Sequence, residues 1–268
     1  MTHIDQAGPR HDGTLQILVP MGASALAGSQ KSLLRLMAAV PSGRARFHLW
    51  VFEDGPLLAE LTRRGIPFSR LPRAWLHTPW GAAQLLAALR AQRPDLIYLH
   101  ASRLLALLAR RAGIPCLERI NMPRARGAGG WCRYRWLDRW ASNLNTGLLP
   151  VSAALAHQLA GRGVAPAKLR VFRDLIHPEQ FRRPELRAPI RAELGVAEDE
   201  ILVLSIGRVV EQKGPDLFAD VARRLRSNGE GRFRFCWLGE GPLAPVLTDR
   251  PPRTHPARPT DPGSMLHL

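Results

Sequence analysis

Residues 201–225 read ILVLSIGRVVEQKGPDLFADVARRL, and the fold turns on this stretch. Its first seven residues are an apolar run ending at Gly207, with the length and composition of a buried strand. Lys213, Gly214 and Pro215 then lead into a helix, Pro215 suiting its first turn. Leu217, Phe218, Val221, Ala222 and Leu225 recur with a 3.6-residue period and are expected to form that helix's buried face. A second strand, RFRFCWLG (232–239), completes one βαβ unit. The loop before the helix carries Arg208 and Lys213. Gly207 permits close backbone approach, exposed helical N–H groups favour an anion, and both cations can reach it. The loop reads either as a diphosphate cradle or as a solvated connection in an arginine-rich chain.

Upstream the same alternation repeats. Strands are expected over 14–20, 46–52, 66–71, 95–99, 114–120, 146–151 and 168–174, with helices between most of them. Ser29, Ser102 and Ser152 are expected to cap helices, and Gly65 and Gly161 to end them. The helix faces are Leu33, Leu34, Leu36, Met37 and Val40; Leu57, Leu58 and Leu61; Leu104, Leu105, Leu107 and Leu108; and Leu155 with Leu159. The strands are mostly apolar throughout, which indicates an α/β fold with a largely parallel sheet. Residues 174–200, rich in proline and charge, read as an interdomain linker with a helical patch at PIRAELG. Beyond Leu247 neither apolar period persists, and a disordered tail over 248–268 is expected.

Composition narrows the function classes. The 268 residues carry 38 Lys+Arg against 22 Asp+Glu, a formal charge of +16. Only Lys31, Lys168 and Lys213 are lysines, and the arginines are spread through every segment without forming a block. The charge reads as compositional bias with a generally basic surface, or as selection for an anionic partner. No apolar run reaches the ~18–20 residues of a membrane span. LQILVPMGASALAG (15–28) could mimic a signal-peptide core, but Pro20 and two glycines break it and no basic segment precedes it, so it reads as a strand and loop. Cys116, Cys132 and Cys236 are odd in number and lack CxxC spacing, arguing against a disulfide framework or zinc site and for the cytoplasm. WCRYRWLDRW (131–140) places Trp136 and Trp140 four residues apart among arginines. It reads as a helix packed on the first domain, as a basic aromatic patch on an anionic membrane, or as a base-stacking surface.

A resemblance gives these features a common frame. GRVVEQKGPDLFADVARRL (207–225) and FRFCWLGEGPL (233–243) resemble the G-R-x4-K-G…G-x-G-P signature of the family 4 retaining glycosyltransferases, which have the GT-B fold of two Rossmann-like domains. The resemblance implies that Arg208 and Lys213 bind the donor's diphosphate. It implies that Gly207, Gly239, Glu240, Gly241 and Pro242 line the donor site. LPVSAALAHQLAGRGVAPAKLRVFRDLIHPEQF (149–181) is similar to the family's interdomain passage, with Asp174, Leu175 and His177 in place of Asn, Gly and Asp. PDLIYLHAS (94–102) resembles D-[VI]-[VI]-H-x-H-S, with Tyr98 at the first His and His100 at the second. LAGSQKSLL (26–34) stands where the family has G-G-A-E-R, with Ala27-Gly28-Ser29-Gln30 substituted. The match spans residues 14–247.

The resemblance implies a Rossmann-like acceptor-side domain over 14–178 and a partial nucleotide-sugar domain over 198–247. It implies a retaining hexosyl transfer from a nucleotide-diphosphate sugar to a glycan or lipid-linked acceptor. No metal and no cofactor are expected beside the donor. Catalytic roles fall to Arg208, Lys213 and His100, and Gly28 with its neighbours would shape the sugar side of the cleft. His100 also reads as a hydrogen-bonded residue at a strand end. Two departures stand out. Asn121 occupies a position where the family commonly has His, and Arg119 and Arg124 read there as anion-binding or as solvated. The E-x7-E element, whose last Glu grips the donor ribose, is absent after Pro242, which is read as truncation or a frame shift near 243–250. The rival readings are a non-catalytic remnant and a basic nucleic-acid-binding protein, the latter without a recognition motif. The protein is expected in the cytoplasm, or peripheral on the inner face of the membrane.

Overall fold

The computed structural model describes residues 13–41, 43–100, 102–121, 140, 142–176, 178–247 and 265–267. It divides into two compact units, Met1–Ile176 and His177–Leu268. Both are α/β.

The first unit is built on six strands: β1 (Leu15–Met21), β2 (Ala45–Val51), β3 (Phe68–Arg70), β4 (Leu96–Leu99), β5 (Cys116–Ile120) and β6 (Gly147–Pro150). All pair in parallel, in the order β3-β2-β1-β4-β5-β6. This is the Rossmann order, with a switch between β1 and β4 from which the connections run in opposite directions. The helices are α1 (Gly28–Ala39), α2 (Pro56–Arg63), α3 (Pro79–Gln92), α4 (Arg103–Ala112) and α5 (Ala153–Gly161).

Side chains that alternate along each strand feed two cores. Val19, Leu49 and Val51 pack with Leu33, Leu34, Met37, Leu57 and Leu61 of α1 and α2. Leu18, Trp50, Ile97 and Leu99 pack with Leu85, Leu89, Leu105 and Leu108 of α3 and α4. A strand covered on both sides needs apolar residues at successive positions, which is why these strands read as unbroken runs. A third cluster, Ile120, Leu148, Leu155, Leu159 and Val164, anchors α5 on β5 and β6.

Local signals hold in part. Ser102 and Ser152 cap α4 and α5, their Oγ atoms accepting from Leu105 N (3.3 Å) and Leu155 N (3.2 Å). Ser29 does not cap α1: the N-cap is Ala27, and Ser29 Oγ instead donates to Gln30 Oε1 at 2.8 Å. The stretch expected as a strand over 168–174 forms one parallel bridge, Leu148↔Leu169. It follows β6 through bonds from Arg170 N to Leu148 O and from Phe172 N to Pro150 O. Its arginines and Val171 face outward, so it runs as an extended strap along the sheet edge.

The second unit opens with 3-10 turns at Pro178–Phe181 and Pro184–Leu186 and the short α6 (Arg187–Glu193), within the stretch read as linker. β7 (Ile201–Ile206), α7 (Pro215–Ser227) and β8 (Phe233–Leu238) follow as a βαβ unit, Val203 opposite Phe235. Two expectations are corrected here. β7 is an exposed edge strand, with Leu204 45% and Ile206 66% exposed, because α7 covers only the opposite face of this small sheet. The α7 face is rotated. Pro215, Ala219 and Ala222 are buried while Leu217 is 67% and Val221 42% exposed. Phe218 sets that rotation, meeting Phe235 and Trp237 edge to face at 5.4 and 5.2 Å. The expected disordered tail is corrected at one point: β9 (Met265–His267) pairs antiparallel with β8, meeting the hydrogen-bonding needs of an otherwise open edge. Cys132, Arg124 and the WCRYRWLDRW segment lie outside the described residues apart from Trp140, which is 44% exposed.

Candidate active-site elements

Ligands of open α/β sheets settle at the carboxyl ends of strands, at the switch in strand order. In the first unit that point lies between β1 and β4. The β1–α1 connection is held from both sides, with Leu57 N donating to Ser24 O at 2.9 Å and Gln30 Nε2 to Ala23 O at 3.3 Å. Gln30 is buried and serves the loop itself. Gly28 opens α1, and a Cβ there would meet open space. No side chain caps this helix, so its first-turn N–H groups remain open to an anion.

His100 directly follows β4. Its ring stands edge to face with Tyr98 at 5.3 Å, and its Nε2 is buried without a hydrogen-bond partner among the described residues. Burial first, and the Arg119 charge second, lower its pKa to about 4, so the ring is neutral near pH 7.

Arg119 is neither solvated nor open to an anion. Its side chain is 2% exposed and each of its three nitrogens donates a hydrogen bond. Nε donates to Asn121 Oδ1 (3.0 Å), Nη1 to Phe172 O (3.3 Å) and Nη2 to Asp174 Oδ1 (2.5 Å). The guanidinium also lies over the Phe172 ring. Ser32 of α1 donates to the same Asp174 oxygen. Sequence reading missed this network. The signal for it was a charged pair, Glu118-Arg119, inside an otherwise apolar strand. Glu118 is likewise buried and accepts from Asn145 Nδ2 at 2.5 Å.

The second unit brings together the residues of the opening stretch. Past the ends of β7 and β8 the two chains continue side by side: Gly207 N donates to Leu238 O (2.9 Å) and Val209 N to Glu240 O (2.8 Å). Trp237 Nε1 donates to Gly207 O at 2.8 Å. A Cβ on Gly239 would come within 2.0 Å of Gly207 O, and one on Gly241 within 2.2 Å of Val209 O. Only glycine fits either place. A Cβ on Gly207 would meet the Lys213 stem at 3.4 Å, so that lysine's chain runs over the glycine loop. Arg208, Lys213 and Glu240 are exposed. Arg208 and Lys213 form no ion pair among the described residues, although acidic side chains are near in sequence. Two unpaired cations thus sit on a rigid backbone just before the α7 N-terminus. No group of three or more potential metal ligands occurs among the described residues.

Known structures share this architecture. Anabaena Alr3699/HepE in complex with UDP-glucose matches at a TM-score of 0.64 and 18% identity, over 84% of this chain and 61% of that one. A glycosyltransferase from Rickettsia africae matches at 0.59 and 13%, over 80% and 58%. The lipopolysaccharide outer core galactosyltransferase WaaB matches at 0.56 and 12%, over 87% and 63%. The chain therefore spans about three fifths of the length of each of these proteins. At such identities the likeness establishes the fold, which is GT-B-like. No curated protein sequence matches the chain. Residues 26–180, more than half of the chain, match the model for Glycosyltransferase Family 4, and the chain belongs to that family.

Proposed function

We propose that this protein is a nucleotide-sugar glycosyltransferase that moves a hexosyl group, with retention, from a nucleotide-diphosphate sugar to a glycan or lipid-linked acceptor. The observation that carries the reading is the pair of unpaired, exposed cations Arg208 and Lys213 on the glycine-locked loop. As the bond from the anomeric carbon to the phosphate oxygen breaks, negative charge grows on the diphosphate. Fixed cations aimed at it stabilise that charge without reorganising. The acceptor hydroxyl oxygen forms the new bond on the same face and passes its proton to the departing phosphate oxygen. No protein base is needed for that step, which accommodates Asn121 where a His is usual. The neutral His100 at the end of β4 belongs to the sugar side of the same proposal. The uncapped start of α1 at Gly28 offers N–H groups to the donor. The acceptor-side role of the first unit and contact with an anionic membrane surface belong to the same proposal. No helix among the described residues is long and apolar enough to cross a membrane.

A non-catalytic protein of the same fold is the second reading. It is favoured by Leu204 and Ile206, apolar residues of β7 that stand exposed. Calorimetric titration of UDP into the wild type, Arg208→Ala and Lys213→Ala separates the two. A charge-assisted hydrogen bond contributes roughly 1.5–3 kcal/mol, so each substitution should weaken UDP binding about 10- to 100-fold and leave the melting temperature unchanged. Equal or undetectable binding by all three proteins would sink the enzyme reading.

A further inference from the structure

The buried guanidinium of Arg119 is expensive unless its charge is balanced and its donors find acceptors. Its three nitrogens each donate to a different group on two segments, Asn121 just beyond β5 and Phe172 with Asp174 on the strap along β6; Ser32 of α1 joins through Asp174. His100 directly follows β4 at the switch between β1 and β4, with Tyr98 against its ring and the Arg119 charge bearing on it. The carboxylate at position 174 also has a reason to be there: the Asn expected from the resemblance would accept a hydrogen bond but carry no charge to balance Arg119.

We propose that Arg119 is a positioning residue whose pairing with Asp174 locks the strap, α1 and the end of β5 together around the His100 crevice. The inference rests on the reading of that crevice as the sugar side of a transferase. Arg119 acts in two ways. Its planar fork fixes geometry, since Asn121, Phe172 and Asp174 are each met by a different nitrogen. Its charge stands beside His100 and disfavours a second cation there, so the imidazole keeps Nε2 as a neutral hydrogen-bonding group. The described groups whose charge or ring bears on His100 are Tyr98, stacked against it, and Arg119, itself balanced by Asp174. A lysine at position 119 would retain the charge and lose the fork.

The test uses the full chain with Asp174→Asn, Arg119→Lys and Arg119→Met. Amide hydrogen exchange is read over residues 28–34 and 169–176, and the His100 titration is followed by NMR. Asp174→Asn and Arg119→Lys should each speed exchange in both segments at least tenfold. Arg119→Lys should leave the His100 midpoint near its wild-type value, while Arg119→Met should raise it measurably. Exchange within twofold of wild type in the first two variants would overturn the lock. An unmoved midpoint in Arg119→Met would overturn the influence on His100. If Arg119→Met does not fold, the exchange measurements on the other two decide the proposal. UDP titration of Arg208→Ala reports on the transferase reading independently, because that loop belongs to the other unit.

Discussion

Gly239 runs so close to Gly207 that a methyl group at position 239 would come within 2.0 Å of the Gly207 carbonyl oxygen. That oxygen cannot retreat freely, because it also accepts from Trp237 Nε1. Both glycines have a φ of 148°, a conformation that other residues rarely adopt. Gly239→Ala should therefore cost about 1–3 kcal/mol in backbone strain alone and push the Arg208 loop away from β8. Gly229 has a positive φ but open space around it, so Gly229→Ala tests strain without overlap. Urea denaturation and UDP titration should show Gly229→Ala mildly destabilised with normal UDP affinity, and Gly239→Ala impaired in both. Intact UDP binding by Gly239→Ala would mean that the loop does not depend on this contact.

His100 predicts a pH dependence of stability. Its folded pKa of about 4 lies below the ordinary 6.5, so between those values the unfolded chain binds more protons. Stability from this group is complete above about pH 6.5 and lost as the pH falls toward 4. At 1.36 kcal/mol per pH unit the loss is roughly 3 kcal/mol at most. His100→Gln should flatten the stability profile across that window by a comparable amount. Denaturation curves at several pH values for both proteins measure it, and parallel profiles would contradict the burial of the ring.

Two thiols should be silent. Burial raises Cys116 to about 12, aided by the Glu118 charge, and burial raises Cys236 to about 11. Neither is disulfide-bonded. The thiolate is the reactive species, so neither residue should be alkylated in the native protein at pH 8, while both should react in urea. Peptide mass mapping after iodoacetamide treatment distinguishes them. Native labelling of Cys236 would place β8 near the surface.

Sequence periodicity described the first unit well because each of its central strands is covered on both sides, so apolar runs and strands coincide. It described α7 less well. Two apolar stripes overlap on that helix, one through Leu217 and Val221 and one through Pro215, Phe218 and Ala222. Which one is buried depends on where Phe235 and Trp237 stand on β8. That is tertiary information, carried by residues about 15–20 positions away. The donor-loop glycines were legible because close backbone approach demands glycine itself. The Arg119 network was not: the Glu118-Arg119 pair reads the same in a strand whether water or Asp174, 55 residues later, receives the arginine's charge.

The caps give the last contrast. Ser29, Ser102 and Ser152 each stand near a helix start, yet only the latter two accept a hydrogen bond from an amide of the first turn. An N-cap serine replaced by alanine typically costs about 1 kcal/mol, whereas an ordinary surface change stays within ~0.5 kcal/mol. Ser102→Ala and Ser152→Ala should lower the urea midpoint measurably, and Ser29→Ala should leave it near wild type. The missing cap at α1 then acquires a meaning. Each first-turn N–H group left without a protein partner costs stability unless water or a ligand receives it. If Ser29→Ala proved as costly as the other two, α1 would be capped in solution.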